Sequence, residues 1–180
     1  MNIKLFLSQF YLPAFYRKRK TAELFRVTAK TFGVKPAAVL PAESESPDAL
    51  LERYAEFSKN QVQVILKNKR LVEGVKAGLF AGAREMGVSL RNELNLKNDR
   101  DFHIATRLIY KALKIDLEFG QNGEIVIKKC FFSGFYSEEI CSLISSLDSG
   151  LIAGLSGGLT MSFYQRITEG CSCCRAVISK

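Results

Sequence analysis

The stretch IDLEFGQNGEIVIKKCF, Ile115 to Phe131, decides the fold. Polar and apolar residues alternate through Ile115-Asp116-Leu117-Glu118-Phe119, then Gly120-Gln121-Asn122-Gly123 turns, and alternation resumes from Glu124 to Phe131. A period of two on both sides of a glycine-bearing turn is the signature of a β-hairpin. The same pattern returns further on: Leu159 to Thr168 alternates, Glu169-Gly170-Cys171-Ser172 turns, and Cys173 to Ser179 alternates again. Two hairpins near the C-terminal end of the sequence predict a small antiparallel sheet.

Everything upstream has a helical period. Residues 13–32 read as a helix, with Pro13 suited to a first turn, Phe15, Leu24, Phe25, Ala29 and Phe32 apolar, and Gly33 a stop. Pro36, Pro41 and Pro47 with Glu43-Ser44-Glu45-Ser46 mark a linker. The pattern from Pro47 to about Leu94 is helical and broken near Lys67 to Arg70, and a further helix covers Asp99 to Leu113, capped by Asn98 or Asp99. Between the hairpins, Ser137 with Glu138 and Glu139 opens one largely buried helix that Gly154, Gly157 and Gly158 end. The fold class is therefore α+β: N-terminal helices, then hairpin, helix and hairpin, with the sheet packed on helices. Residues 1–46 form a helical arm and linker expected to dock loosely, and residues 47–180 a single α+β domain of ligand-binding type.

Gly74, Gly78 and Gly82 recur one turn apart in a predicted helix. Each costs about 1 kcal/mol relative to alanine, so close packing by a neighbouring helix is the expected reason. Lys76, Arg84 and Glu85 interrupt any membrane-dimer reading of that spacing.

A chain of 180 residues, 47% hydrophobic and 24% charged, is an ordinary globular composition able to bury a core. No apolar run reaches the roughly 18 to 20 residues of a membrane helix. The run Ile3 to Leu7 is broken by Ser8 and Gln9, and the basic cluster Arg17 to Lys20 follows it instead of preceding it, the wrong order for a secretory leader. A cytoplasmic protein is expected. The net charge of +8 sits largely near the N-terminus, in Arg17 to Lys20, Arg26, Lys30 and Lys35, without any nucleic-acid-binding motif, so a solvated basic face is expected and not a nucleic-acid partner. Phe10, Tyr11, Phe15 and Tyr16 beside that run could touch anionic lipid.

All five cysteines, Cys130, Cys141, Cys171, Cys173 and Cys174, lie in the last third. Their odd number in a reducing compartment argues against a disulfide framework and leaves thiol, metal or packing roles. Cys171-Ser172-Cys173-Cys174 is too tight for a zinc pair, so no metal site is assigned. A nucleophilic cysteine needs a base, and His103, the one histidine, is far away in sequence. Asp148, inside an apolar helix, should have a partner because an unpaired buried charge is expensive; Arg166 is the first candidate. Strand alternation puts Arg166 on one face with Ser162, Tyr164 and Thr168, a setting for holding a carboxylate. No phosphate loop, dinucleotide fingerprint or nucleophile elbow is present, and no cofactor can be named.

Cys130 after the hairpin strand, Cys141 in the helix, Asp148 seven residues later, and Arg166-Ile167-Thr168-Glu169-Gly170 leading to Cys174 resemble the pattern of the L-2-amino-thiazoline-4-carboxylic acid hydrolase-like proteins. Ala83 to Arg91 resembles the helix those proteins carry before the sheet, so the resemblance spans about residues 70–180. More distantly the chain is similar to the 4-vinyl-reductase-like ligand-binding domains, although a cysteine of that pattern is replaced here by Ile167. The resemblance implies a pocket between helices and sheet that receives a small apolar or amphipathic molecule. Two functions follow as expectations. One is a small-molecule binding protein, compatible with a homodimer, whose pocket uses Cys130, Cys141, Arg166, Tyr164 and Cys174. The other is a hydrolase of a small cyclic carboxylate, with Cys130, Cys141 and Asp148 catalytic and Arg166 holding the anion. The scarcity of acid/base residues beside the cysteines favours binding.

Overall fold

A four-stranded antiparallel sheet carries helices on one face, as the hairpin pattern requires. The computed structural model describes residues 12–39, 41–42 and 44–180; Ile3 to Tyr11, and with them Phe10 and Tyr11 of the lipid-contact expectation, lie outside the described residues. The elements are α1 (Ala14–Thr31), α2 (Pro47–Leu66), α3 (Lys69–Glu93), α4 (Asp99–Ala112), β1 (Ile115–Phe119), β2 (Glu124–Cys130), α5 (Glu138–Ile144), α6 (Ser146–Ser156), β3 (Thr160–Gln165) and β4 (Cys174–Ser179). No helix among the described residues is long and apolar enough to cross a membrane.

Local signals set the boundaries. The Ser46 hydroxyl accepts from the Ala49 amide to start α2, and the Asn68 and Asn98 side chains do the same for α3 and α4. Gly33 and Gly157 take left-handed backbone angles and close α1 and α6. The single helix expected between the hairpins is two. At the junction the Ser145 hydroxyl donates to the Ser142 carbonyl, competing with the helical ladder. The turn there lets α6 lie along α3.

The strands run in the order β1-β2-β4-β3, so the two hairpins join through β2 and β4, with Ile125 opposite Ala176 and Ile127 opposite Cys174. Leu117, Ile125, Ile127, Met161, Cys174 and Ala176 form the buried face. Outward, the Tyr164 hydroxyl and Arg175 both donate to Glu124, and Lys128 pairs with Glu118. Alternation is interrupted near the end of β3, where the register shifts between Phe163 and Gln165.

The N-terminal helix is not a loosely docked arm. Leu24, Phe25 and Ala29 belong to the common core, and the Phe25 ring meets Tyr54 and Phe57 of α2 at centroid distances of 5.4 and 4.9 Å. Periodicity showed that α1 has an apolar face; α2 and α3 supply what covers it. The tail of Lys20 is enclosed while its ammonium pairs with Glu23 and Glu93 at 2.9 and 3.5 Å. Tyr16 lies under Arg19 and Lys20 and is half-buried, whereas Phe15 is exposed.

The glycines divide in a way the spacing did not foretell. Gly78 and Gly82 face Thr31 and Val27 of α1, the close helix packing expected, whereas Gly74 faces open space. The tighter seam is between α3 and α6. A methyl group on Gly150 would collide with the Phe80 carbonyl, on Gly154 with the Arg84 carbonyl, and on Gly87 with the Leu151 carbonyl. Gly154 is thus a packing residue inside α6, and Gly157 ends the helix.

Candidate functional site: a polar-ended apolar cavity

Between the sheet and the helices lies a cavity of about 90 Å³. Leu24 of α1, Ala83 and Met86 of α3, Ile109 of α4, Ile127 of β2 and Leu151 of α6 supply apolar wall. The polar wall gathers Cys130, Cys141, Asp148, Arg166 and Cys174, five residues the sequence pattern had singled out, together with Tyr110. They come from a strand end, two helices, the β3–β4 connection and the start of β4, so only the tertiary fold brings them together.

Asp148 leaves α6 toward the cavity, and its Oδ1 accepts from the Tyr110 hydroxyl of α4 at 2.6 Å. Burial raises its carboxyl to about 6, against the opposing pull of that hydrogen bond and of the Arg166 charge. The expected direct partner, Arg166, is engaged elsewhere: its Nη1 reaches Glu169 Oε1 at 3.2 Å and its Nη2 donates to Ser145 Oγ at 3.4 Å. Arg166 therefore acts on Asp148 through charge alone. Its Nε is enclosed with no acceptor, and its guanidinium lies over the Phe163 ring at 5.1 Å. An arginine donor left without a partner beside a cavity is a place for an anionic oxygen.

Tyr164 does not join the site. It is 59% exposed on the outer face of the sheet, bonded to Glu124 at 2.7 Å. The register shift after Phe163 ends strict alternation, so Arg166 turns inward and no longer shares a face with Tyr164. Cys171 and Cys173 also lie outside the cavity lining; Gln165 donates to the Cys173 carbonyl and sulfur at 3.1 and 3.5 Å.

Three thiols share the polar end. Burial pushes the Cys130 thiol up to about 12 and raises Cys141 and Cys174 as well. The Cys174 sulfur accepts the Ile167 amide at 3.3 Å, and the Cys141 thiol stands beside the Thr168 hydroxyl. These are neutral thiols, not thiolates. His103 gives them no base: it is stacked on Phe119 at 3.9 Å and does not line the cavity. Among the described residues no group of three or more histidine, cysteine, aspartate or glutamate side chains is placed to hold a metal ion. Iodoacetamide at neutral pH is expected to label Cys171 and Cys173, in the β3–β4 turn, before Cys130, Cys141 and Cys174, as read by peptide mapping. Preferential labelling of Cys130 would contradict a buried neutral thiol.

Tyr110 was missed in the sequence. The signal was a tyrosine on the apolar face of α4, since a buried phenol needs an acceptor and Asp148 needed a donor. Tyr136 also lines the cavity, and its hydroxyl is tied to the buried Ser58 hydroxyl of α2.

No family model matches the chain, and no curated protein does. A solved structure with the same fold is similar to it: the trafficking protein particle complex subunit 3 from Naegleria fowleri, whose crystal structure holds covalently bound palmitic acid. The two are 15% identical, with a TM-score of 0.52, and the match covers 72% of this chain and 95% of that subunit. At that identity the likeness is one of fold, and it places the helices and sheet of this chain in the arrangement of that subunit.

Proposed function

We propose that the protein binds a small amphipathic molecule, its apolar body in the cavity and an anionic head, best a carboxylate, at Arg166. The observation that carries this reading is the polarity gradient: an apolar enclosure whose polar groups collect at one end, beside an arginine Nε with no acceptor. Support of a coarser kind comes from the similar subunit, which carries a fatty acid in the same fold. The cavity of about 90 Å³ is smaller than the roughly 300–1,000 Å³ of ordinary ligand pockets. It fits a short chain as it stands, and a longer one needs the flexible Met86 side chain to swing aside.

Native mass spectrometry of the protein as purified should reveal a bound organic acid, and the same spectra report whether a homodimer is present. Five unpaired cysteines agree with the reducing, cytoplasmic location that belongs to this proposal. In thermal-shift titrations, linear monocarboxylates should stabilise the protein more than alcohols of equal length. Arg166→Gln should erase that difference, weakening carboxylate binding by about tenfold or more, the worth of a charge-assisted hydrogen bond. Equal shifts for acid and alcohol with wild-type protein would remove the head-group assignment; no shift with any chain, and no co-purifying mass, would remove the binding reading.

Hydrolysis is the second reading, and one observation favours it: a carboxyl near 6 among thiols is suited to proton transfer at neutral pH. The neutral Cys130 thiol weighs against it. Turnover of 2-aminothiazoline-4-carboxylate that disappears in Cys130→Ser or Cys141→Ser would replace binding with catalysis.

A further inference from the structure

We propose that the open cleft between α4 and the β1–β2 hairpin is a second ligand site, one that takes a phosphate group. The cleft has a volume of about 450 Å³, within the range of ordinary ligand pockets and well above that of the inner cavity. Arg107, Lys111, Lys114 and Lys129 line it with one carboxylate, Asp116, and buried Leu108 and Leu117 make the floor.

The sequence builds this cluster from three local features. Arg107 and Lys111 stand one turn apart on the outer face of α4, and both are exposed. Lys114 takes a left-handed backbone angle, φ 56°, which turns the chain from the end of α4 straight into β1. A bulge between Asp116 and Leu117 then places Asp116 opposite Lys129 of β2.

Arg107 lies over the Phe119 ring and Lys114 over the Phe131 ring, each at 5.7 Å, contacts that leave their charge unneutralised. The C-terminal end of a helix carries about half a negative charge, which one lysine satisfies. Asp116 offsets Lys129. Lys114 pairs with Asp48 at 2.9 Å, but the same carboxylate also binds Arg17, and the two cations hold the Asp48 carboxyl below its usual range. Arg17, Arg107, Lys114 and Lys129 thus stand around two carboxylates among the described residues, Asp48 and Asp116. A concave surface with excess like charge concentrates anions, and a phosphate offers several acceptor oxygens to a guanidinium and several ammoniums at once. This site is separate from the cavity reading and does not depend on it.

The test uses the full chain, inorganic pyrophosphate as soluble probe in calorimetric titration, and phosphatidylcholine vesicles with and without phosphatidic acid in co-sedimentation. Saturable pyrophosphate binding is expected, weakened at least about tenfold in the double variant Arg107→Gln with Lys129→Gln. A second double variant, Lys69→Gln with Arg70→Gln at the α2–α3 turn, removes the same charge elsewhere and should bind as wild type. Loss by the cleft variant of both pyrophosphate and phosphatidic acid vesicles identifies a site for any accessible phosphate. Loss of vesicle binding alone, with no pyrophosphate bound by wild type, identifies a lipid headgroup as the source. Absence of both activities in wild type, or equal weakening by the two double variants, would overturn the proposal. Both cleft side chains are exposed, and an unchanged thermal melt shows that the variant is folded.

Discussion

Asp148→Asn is expected to stabilise the protein at pH 8, by up to about 3 kcal/mol. The wild-type carboxyl protonates near 3.8 when unfolded and near 6 when folded, because burial disfavours its charge. Between those values the folded state holds the extra proton, so stability falls as pH rises through the window and stays lower above it. A difference of about two pH values corresponds to at most about 3 kcal/mol, less the screening from water that reaches the half-buried Asp148. Asparagine keeps an oxygen to accept from Tyr110 and never ionises. The gain should therefore be full at pH 8 and vanish below about pH 4, where both states of the wild type are protonated. Urea denaturation at the two pH values reads this directly. A loss of stability at pH 8 would mean that the carboxylate is compensated in the folded protein, with Arg166 as its partner. A stabilising Asp148→Asn would mark this cavity-facing carboxyl as the first residue to test for ligand binding or turnover.

The second large effect belongs to the α3–α6 seam. Gly→Ala in a helix ordinarily gains up to about 1 kcal/mol, and Gly74→Ala, with nothing in reach of the new methyl, should show that gain. Gly150→Ala and Gly154→Ala should do the opposite. Each methyl would meet a backbone carbonyl of α3, at Phe80 and Arg84, and a carbonyl cannot rotate away as a side chain can. A net loss of about 2 kcal/mol or more is expected for each, and failure to fold for the pair. Thermal or urea unfolding of the three variants checks the opposite signs; a stabilising Gly154→Ala would show that the helices do not approach so closely.

The sequence made the local elements legible because their signals are local. Alternation defines both hairpins, Gly33 and Pro47 bracket the linker, and Asn98 marks the start of α4. The cysteine, aspartate and arginine pattern of residues 130–174 also led to one cavity, since Cys130, Cys141, Asp148, Arg166 and Cys174 all line it. Features decided by a second element were not legible. Alternation cannot show a register shift, so Tyr164 was placed with Arg166. The apolar face of α1 could not reveal that Tyr54 and Phe57 cover it. The pairing of Tyr110 with Asp148 spans 38 positions and is set by how α4 meets α6. In the sequence Gly154 reads as part of the helix end, and Gly150 does not stand out, because closeness to α3 has no signature in α6 alone.

That closeness also governs how the cavity can respond to an occupant. Ala83 and Met86 stand on α3, and Leu147 and Leu151 on α6, so this side of the enclosure is a welded jaw: its two backbones already touch and cannot part without losing the seam. The opposite jaw is made of the four-stranded sheet and the short α5, joined to α6 by the turn at Ser145. A molecule longer than the resting space has to be accommodated by side chains such as Met86 or by displacement of that second jaw. It carries Cys130, Cys141, Arg166 and Cys174, whereas Asp148 rides on the fixed one. A displacement of the second jaw would carry the arginine and the three thiols away from the carboxyl, because the two sides of the polar end stand on different jaws.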